Sequence, residues 1–476
     1  MSVFKAYDIR GLSPEEIDAS FAERLGIAVA GQFHPKRVLV GRDMRVTSPD
    51  LEDALIRGLT QSGVDVVRIG LCSTPMFNVT LGLARVESRK SKVESPFDLG
   101  VMVTASHNPG KYNGFKLTGG DVLPIGQGYG MEELEKTFGE ILATPDIIPT
   151  LRRDSQLPTH VGSVTDDPMA LHRYVEHILD LAKMPVDMSE MKIAIDAGNG
   201  MAGFVLPRLI EKLPWLKVEQ LYFTPDGSFP NHEANPLKRE TLDDLKEKVR
   251  SGQCAVGVAF DGDADRVGFV DETGEQIPGD LLTALLAQEV LLDHPDGLVL
   301  YDVRSSWSVP EAVEEAGGHT EMCRVGHALI KRLMSEKAAS FAGELSMHFY
   351  FKELWNCESG DLAMLLLLRM MHREQKPLSA LWKPLKRYAK SDETNFSVTD
   401  QKAAMDRIES AFIKDATNVI RIDGLRLEFT YPNDERKNWW FSVRASNTEP
   451  LLRLVVEAVT PDILNEKMAE LTSLIG

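Results

Sequence analysis

Ser106 and His107 follow directly on a short apolar run, Leu99–Val103, and are closed by Asn108-Pro109. The run is β-branched at two positions and stopped by a turn dipeptide, so it reads as a buried strand that delivers Ser106 to the loop at its end. A serine held there can act as a nucleophile. The plain alternative is a serine that only makes local backbone hydrogen bonds, as Ser and Asn in turns commonly do. The heptad 103–109 alone favours that alternative, so other stretches must decide.

The strongest such stretch is Asp261-Gly262-Asp263-Ala264-Asp265-Arg266, set between strand-like runs at 255–260 and 267–270. Alternation puts i, i+2 and i+4 on one side of an extended backbone, so its three carboxylates can meet one hard cation. A merely solvated acidic turn would need all three splayed into water. Glu272 falls at the twelfth position and invites a calcium-loop reading, but Arg266 stands at position six, where that loop needs Gly, and the flanks read as strands. A Mg²⁺ site completed by a phosphate oxygen fits better, with Arg266 beside it to contact the phosphate.

Two further loops carry polar chemistry. Arg444-Ala445-Ser446-Asn447-Thr448-Glu449-Pro450 joins two strand-like runs and is made almost wholly of hydrogen-bond donors, with Arg453 as a second cation. A guanidinium fork and successive N–H groups suit a phosphate, although a polar hairpin turn has the same composition. Gly343-Glu344-Leu345-Ser346-Met347-His348 places Glu and Ser two apart, able to hydrogen-bond neighbouring sugar hydroxyls; a capping Glu and a structural His are the plainer reading. The patterns GxxxxGK[ST], GxSxG and HExxH are absent, which removes support for P-loop, α/β-hydrolase and zinc-peptidase chemistry.

The elements that must position these loops alternate. Strand signals at 38–40 and 64–69 flank a helix opened by Ser48-Pro49, with Leu51, Leu55 and Leu59 on one face. A Pro-, Thr- and Asp-rich stretch at about 145–165 reads as a linker. The alternation restarts at 192–196, 203–213, 218–223 and 255–260, then again from Gly279-Asp280 through 297–301, the helix after Gly326-His327, and 338–343. From about 388 the character changes to a helix at 401–413, strand-like runs at 425–431, Trp439–Ala445 and Leu451–Ala458, and a closing helix from Thr460-Pro461. The expected fold class is α/β: three similar α/β domains, 1–154, 155–275 and 276–385, followed by an α+β domain, 386–476.

Composition bounds the partners. The chain has 476 residues, 43% hydrophobic and 26% charged, an ordinary globular balance with ample core for several domains. A net charge of −18 argues against nucleic acid or an anionic membrane, so an anionic ligand needs a local positive site. The N-terminus has no apolar signal-like run, and the longest apolar stretch, 362–368, is too short to span a bilayer. Cys72, Cys254, Cys323 and Cys357 lack metal spacing and read as inert thiols in a reducing cytoplasm.

Taken together, the Ser loop at 104–109, the metal loop at 261–266, the sugar loop at 343–348 and the phosphate loop at 444–450 resemble those of the α-D-phosphohexomutase superfamily, most closely its bacterial phosphomannomutase/phosphoglucomutase branch. The likeness covers nearly the whole chain. It includes Phe4-Lys5-Ala6-Tyr7-Asp8-Ile9-Arg10-Gly11, Val40-Gly41-Arg42-Asp43, Asn113-Gly114-Phe115-Lys116, Asp196-Ala197-Gly198-Asn199-Gly200 and Val325-Gly326-His327.

The resemblance implies a heart-shaped, four-domain enzyme in which each domain gives one loop to a central cleft. It implies that Ser106 carries a phosphoryl group, contacted by His107 and Arg266, and that Asp261, Asp263 and Asp265 hold one Mg²⁺ per chain with a phosphoserine oxygen. Phosphate would move between O1 and O6 of mannose or glucose through a hexose 1,6-bisphosphate, which also serves as activator. Glu344, Ser346, His327 and Tyr7 would meet the sugar. Arg444, Ser446, Asn447, Thr448 and Arg453 would grip the phosphate that is not reacting. Lys116, Arg10 and His348 are the implied general-base candidates, and a lysine among cations can have a lowered pKa. A cytoplasmic monomer or weak homodimer taking only small phosphosugars is expected.

One departure stands out. Much of the superfamily reads Gly-Glu-x-Ser-Gly-His in the sugar loop, whereas Met347 replaces the second Gly here, and Gly permits backbone angles that Met adopts reluctantly. The alternatives are a phosphoglucosamine mutase and a catalytically silent sugar-phosphate-binding paralogue; intact Ser106, the Asp trio and Arg444 disfavour silence.

Overall fold

The structure is a computed structural model that describes residues 2–91, 96–143, 160–445 and 451–475. The chain forms two compact units. One comprises Met1–Ile277, Lys331–Ala338 and Ser346–Ser379; the other comprises Pro278–Ile330, Ala339–Leu345 and Ala380–Gly476.

The first unit contains two helix-covered sheets. In one, the strand order is Ile9–Leu12, Tyr112–Gly119, Leu99–Val103, Arg37–Arg42, Asp65–Leu71 and Val164–Asp166. Leu99–Val103 runs parallel to Arg37–Arg42 and antiparallel to Tyr112–Gly119, and all its residues are buried. An apolar run without alternation is what a strand covered on both faces requires. The helix Ser48–Gln61 supplies Leu51, Leu55 and Leu59 to one core with Val38, Val40 and Val101, as its 3.6-residue period dictates. Much of the stretch read as a linker lies outside the described residues, but its far end, Val164–Asp166, joins this sheet as an edge strand.

The second sheet runs Val267–Asp271, Val256–Phe260, Met191–Asp196 and Leu216–Leu221. Val256–Phe260 and Val267–Asp271 are antiparallel neighbours, so the acidic hexad is the turn between them. The apolar run 362–368 lies in the buried helix Gly360–Glu374, whose Ser359 hydroxyl caps the Leu362 N–H at 3.1 Å. Among the described residues no helix is long and apolar enough to cross a membrane.

In the second unit, Leu298–Asp302 pairs in parallel with His319–Cys323 on one side and Phe341–Gly343 on the other. The fourth sheet is antiparallel, with Ala389–Lys390, Leu451–Ala458, Trp439–Ala445, Leu425–Phe429 and Asn418–Ile420 in order and Thr394–Ser397 beside Leu451–Ala458. The helices Gln401–Phe412 and Pro461–Ile475 bury their apolar faces against it.

Candidate active site

Ser106 leaves its strand in a left-handed conformation, φ 49°, which a non-glycine residue holds only where its surroundings enforce it. The enforcement is visible. Its N–H donates to Thr104 Oγ1 at 2.9 Å, and its carbonyl accepts from Arg45 Nη2 at 2.7 Å. Arg45 also donates to the carbonyls of Asn108, Pro109 and Tyr112 at 2.6, 2.9 and 2.9 Å, and pairs with Asp43 at 3.2 Å. This fully buried guanidinium therefore ties the whole serine loop down. Sequence reasoning missed Arg45; its signal was the spacing Asp43-x-Arg45 directly after a strand.

The Ser106 hydroxyl donates to Asp261 Oδ2 at 2.9 Å and lies 3.3 Å from His107 Nδ1. The two loops approach so closely that a Cβ on Gly262 would stand 2.4 Å from the Ser106 carbonyl oxygen, so only glycine fits. Burial, followed by the nearby Arg266 and Arg10, pushes the His107 imidazole well below its ordinary range, so it is neutral.

Asp261, Asp263 and Asp265 are buried, and one carboxylate oxygen from each lies within 4.8 Å of the others. Their convergence differs from the expectation of an extended backbone. The hexad is a tight turn in which Ala264 takes φ 62° and donates its N–H to the Asp261 carbonyl at 3.2 Å. A folded turn brings the side chains together because only two residues separate each strand end from the centre.

Protein donors take some of these oxygens and leave another unbonded. Lys116 Nζ donates to Asp263 Oδ2 at 2.7 Å and to Asp265 Oδ2 at 2.6 Å, and Thr74 Oγ1 donates to Asp263 Oδ2 at 2.6 Å. Asp263 Oδ1 is buried with no hydrogen-bond partner among the described residues, and the buried Asp265 Oδ1 faces His348 Nε2 at 3.3 Å. An unbonded Asp263 oxygen beside the carboxylates of Asp261 and Asp265 fits a hard cation. Burial and repulsion from Asp265 and Asp263 push Asp261 well above the usual carboxylate range. Burial opposes ionisation of Asp265 too, but Lys116 and His348 outweigh it and hold that group low.

Lys116 departs from the expectation of a lysine among cations. Burial would lower its pKa, yet Asp263, Asp265 and Glu358 override this and raise it. It is an ammonium fixed by two carboxylates. Arg10 Nη1 donates to Asn108 Oδ1 at 2.8 Å and also pairs with Asp8, which places it on the serine loop; Tyr7 is half-buried just ahead of that strand. Arg266 donates its backbone N–H to Asp261 Oδ1 at 3.1 Å and its Nε to His348 Nε2 at 3.1 Å. His348 Nε2 also stands 3.3 Å from Asp265 Oδ1, and its Nδ1 lies 3.0 Å from Ser346 Oγ. Arg266 requires an unprotonated Nε2 and Asp265 a protonated one, so the imidazole sits between two opposing demands.

Met347 does adopt the angle that glycine usually supplies, with φ 67°. It is held there by its buried side chain, whose Sδ would lie 2.9 Å from a Cβ on Gly268, and by its carbonyl, which accepts from Val267 N at 3.2 Å. The missing side chain at Gly268 leaves the room that Met347 fills. Packing here overrides a local preference of about 1 kcal/mol.

In the second unit, Glu344 is buried and accepts from Gly326 N at 3.0 Å, next to His327, which opens the helix His327–Lys337. Leu345 N donates to Asp302 Oδ2 at 2.7 Å. Arg444 and Arg453 are direct cross-strand partners on Trp439–Ala445 and Leu451–Ala458. Ser446, Asn447 and Thr448 lie outside the described residues. The first unit thus gathers Ser106, His107, Lys116, Arg10, the Asp trio, Arg266, Ser346 and His348. The second gathers Glu344 with His327, and Arg444 with Arg453.

A serine hydroxyl seated on a buried carboxylate trio, in a chain of α/β sheets and one antiparallel α+β sheet, is an arrangement suited to phosphoryl transfer. The comparisons agree. Models of the phosphoglucomutase/phosphomannomutase family match as alpha/beta/alpha domains I, II and III at residues 1–143, 172–274 and 278–388, and as the C-terminal domain at 393–473. A phosphomannomutase of Methanocaldococcus jannaschii is 38% identical across 100% of this chain and 98% of its own. A phosphohexose mutase of Xanthomonas campestris is 36% identical, over 96% and 95%. A solved phosphoglucomutase/phosphomannomutase family protein of Burkholderia thailandensis superposes with a TM-score of 0.84 at 32% identity, covering 99% of this chain and 96% of that one. The chain belongs to the phosphoglucomutase/phosphomannomutase family and is an isomerase of the phosphohexomutase type.

Proposed function

We propose that the protein interconverts hexose 1-phosphate and hexose 6-phosphate, with mannose and glucose as the sugars, through a phosphoserine at Ser106 and a hexose 1,6-bisphosphate. The observation that carries this reading is the Ser106 hydroxyl 2.9 Å from Asp261, in a buried carboxylate trio where Asp263 keeps one oxygen unbonded among the described residues. Those three carboxylates and a phosphate oxygen on Ser106 would hold one Mg²⁺, which when bound neutralises charge on the transferring phosphoryl group.

The phosphoryl group on Ser106 passes to the free sugar hydroxyl: the bond to Oγ breaks as the bond to the sugar oxygen forms. Neutral His107 and cationic Arg266 hold the phosphoserine oxygens in line. Lys116, fixed as an ammonium, offsets negative charge rather than accepting a proton. Of the three base candidates, His348 is the one whose ordinary pKa lies near neutrality, so it takes the proton of the attacking hydroxyl ahead of Lys116 and Arg10. The bisphosphate then turns, and its other phosphate returns to Ser106. Tyr7, His327, Glu344 and Ser346 contact the sugar, while Arg444, Ser446, Asn447, Thr448 and Arg453 grip the idle phosphate. The functional domains are 1–154, 155–275, 276–385 and 386–476, in a cytoplasmic monomer or weak homodimer.

Intact-protein mass spectrometry after incubation with glucose 1,6-bisphosphate and Mg²⁺ tests the phosphoserine. One added phosphoryl group on the parent and none on Ser106→Ala is expected; no addition to the parent overturns the reading. Turnover on mannose 1-phosphate and glucose 1-phosphate should both exceed turnover on glucosamine 1-phosphate.

A further inference from the structure

Arg444 and Arg453 face each other directly across two antiparallel strands, a position where like charges repel unless an anion lies between them. The chain supplies one. Glu393 Oε1 lies 3.5 Å from Arg453 Nη1 and 3.6 Å from Arg444 Nη2, while its Oε2 accepts from Arg304 Nη1 at 2.9 Å. The strand register explains the placement, because Thr394 and Asn395 pair with Leu454 and Arg453 and bring the preceding Glu393 beside the two guanidiniums.

The three contacts are unequal. Arg304 is nearly fully buried and is itself locked by a two-point grip on Asp302, Nε to Oδ1 at 3.0 Å and Nη2 to Oδ2 at 2.8 Å. Glu393 is therefore anchored on Arg304 and only leans on the other two, beyond the 2.7–2.9 Å of a strong charge-assisted bond. Among the described residues, Arg444 Nε and Arg453 Nε are buried with no hydrogen-bond partner, and a second carboxylate, Asp423, is 3.9 Å from Arg444 Nη1. The pair thus holds unspent donors while a resident negative charge occupies the space between them. Burial opposes ionisation of Glu393, but Arg304, Arg444 and Arg453 outweigh it, so the group stays charged.

We propose that Glu393 is a built-in competitor of the phosphate at the Arg444–Arg453 clamp: it keeps both guanidiniums in place when the clamp is empty and limits how tightly they hold a phosphate. The inference rests on the reading of Arg444 and Arg453 as the grip for the idle phosphate. An enzyme that must turn its bisphosphate end for end has to release that phosphate in every cycle. Tighter ground-state binding would lower KM without raising turnover.

Glu393→Gln keeps an acceptor for Arg304 and removes the charge. In the full-length enzyme with Mg²⁺, the inhibition constant of inorganic phosphate and the KM for glucose 1-phosphate should both fall about fivefold or more at low ionic strength, with a smaller gain in high salt. Turnover should fall as release slows. Glu393→Ser, which leaves the Arg304–Asp302 pair intact, is a second neutral variant should the first fail to fold, and it should shift both constants in the same direction. Unchanged or weaker phosphate inhibition in a folded neutral variant overturns the proposal and leaves Glu393 as a structural tie. Arg444→Ala separates the two layers: it should weaken phosphate inhibition at least tenfold, and no change there would sink the clamp itself and this proposal with it.

Discussion

The serine–aspartate centre and the Arg444–Arg453 pair hold their charged groups in opposite ways. In the first, contacts are short: Ser106 on Asp261 at 2.9 Å, Lys116 on two aspartates at 2.7 and 2.6 Å, and Arg45 on four loop carbonyls at 2.6 to 2.9 Å. Ser106, Ala264 and Met347 all sit in left-handed conformations there. In the clamp the contacts between Glu393 and the two facing arginines are 3.5 and 3.6 Å, and two buried N–H groups are unspent. Group transfer rewards fixed geometry, since a misplacement near 1 Å can cost about a hundredfold in rate. In the proposed cycle, a grip that opens at every turn gains nothing from such rigidity.

The sharpest break of this contrast is Ser106→Ala, which should lower mutase turnover more than about 10³-fold in a coupled assay, because a residue that carries the transferring group has no substitute. Turnover near the parent's would mean that the rigid centre does not carry the phosphoryl group. Removal of the metal comes next. EDTA should abolish activity, excess Mg²⁺ should restore it, and Mg²⁺ at about a hundred times its Kd should stabilise the unphosphorylated protein by about 2.7 kcal/mol in thermal melts. Asp263→Asn should lose most of that stabilisation.

Arg45→Lys probes rigidity itself. A lysine cannot span four carbonyls, so turnover should fall about 10- to 100-fold with KM changed far less, and the free energy of unfolding measured in denaturant should drop by about 3 kcal/mol or more. A raised KM at constant turnover would show that the serine loop needs no such restraint. The smallest effect belongs to Met347→Gly. Loss of a buried side chain costs about 2–5 kcal/mol and relief of the left-handed angle returns about 1–2, leaving a net loss of about 0–4 kcal/mol in urea unfolding, centred on about 2. A few-fold rise in KM should accompany it as His348 loosens. A stabilised variant would reverse the account of the Met347–Gly268 fit.

Much of this was legible before the fold. The run into Ser106, the alternate aspartates, Arg444 and the Glu344–His348 loop all announced themselves by residue type at fixed spacing. Arg45 and Glu393 did not, because their partners are backbone carbonyls and arginines distant in sequence. Thr74 was silent for the same reason: it meets Asp263 only because the start of its helix is packed against the metal loop. The expected lowering of the Lys116 pKa failed because sequence names a residue's chemical type and not the charges that will surround it.

By itself the sequence determined the alternation of strands and helices, the family, and the inventory of groups able to do the chemistry, since periodicity and local motifs are short-range properties. Tertiary structure alone decided which oxygens of Asp263 and Asp265 are taken by Lys116 and that one Asp263 oxygen is not, and that two arginines would face each other with Glu393 between them. Both outcomes depend on distances of a few ångströms between residues up to about 150 positions apart. Hydrogen bonding and Coulomb interactions act over those distances in space, whatever the separation along the chain.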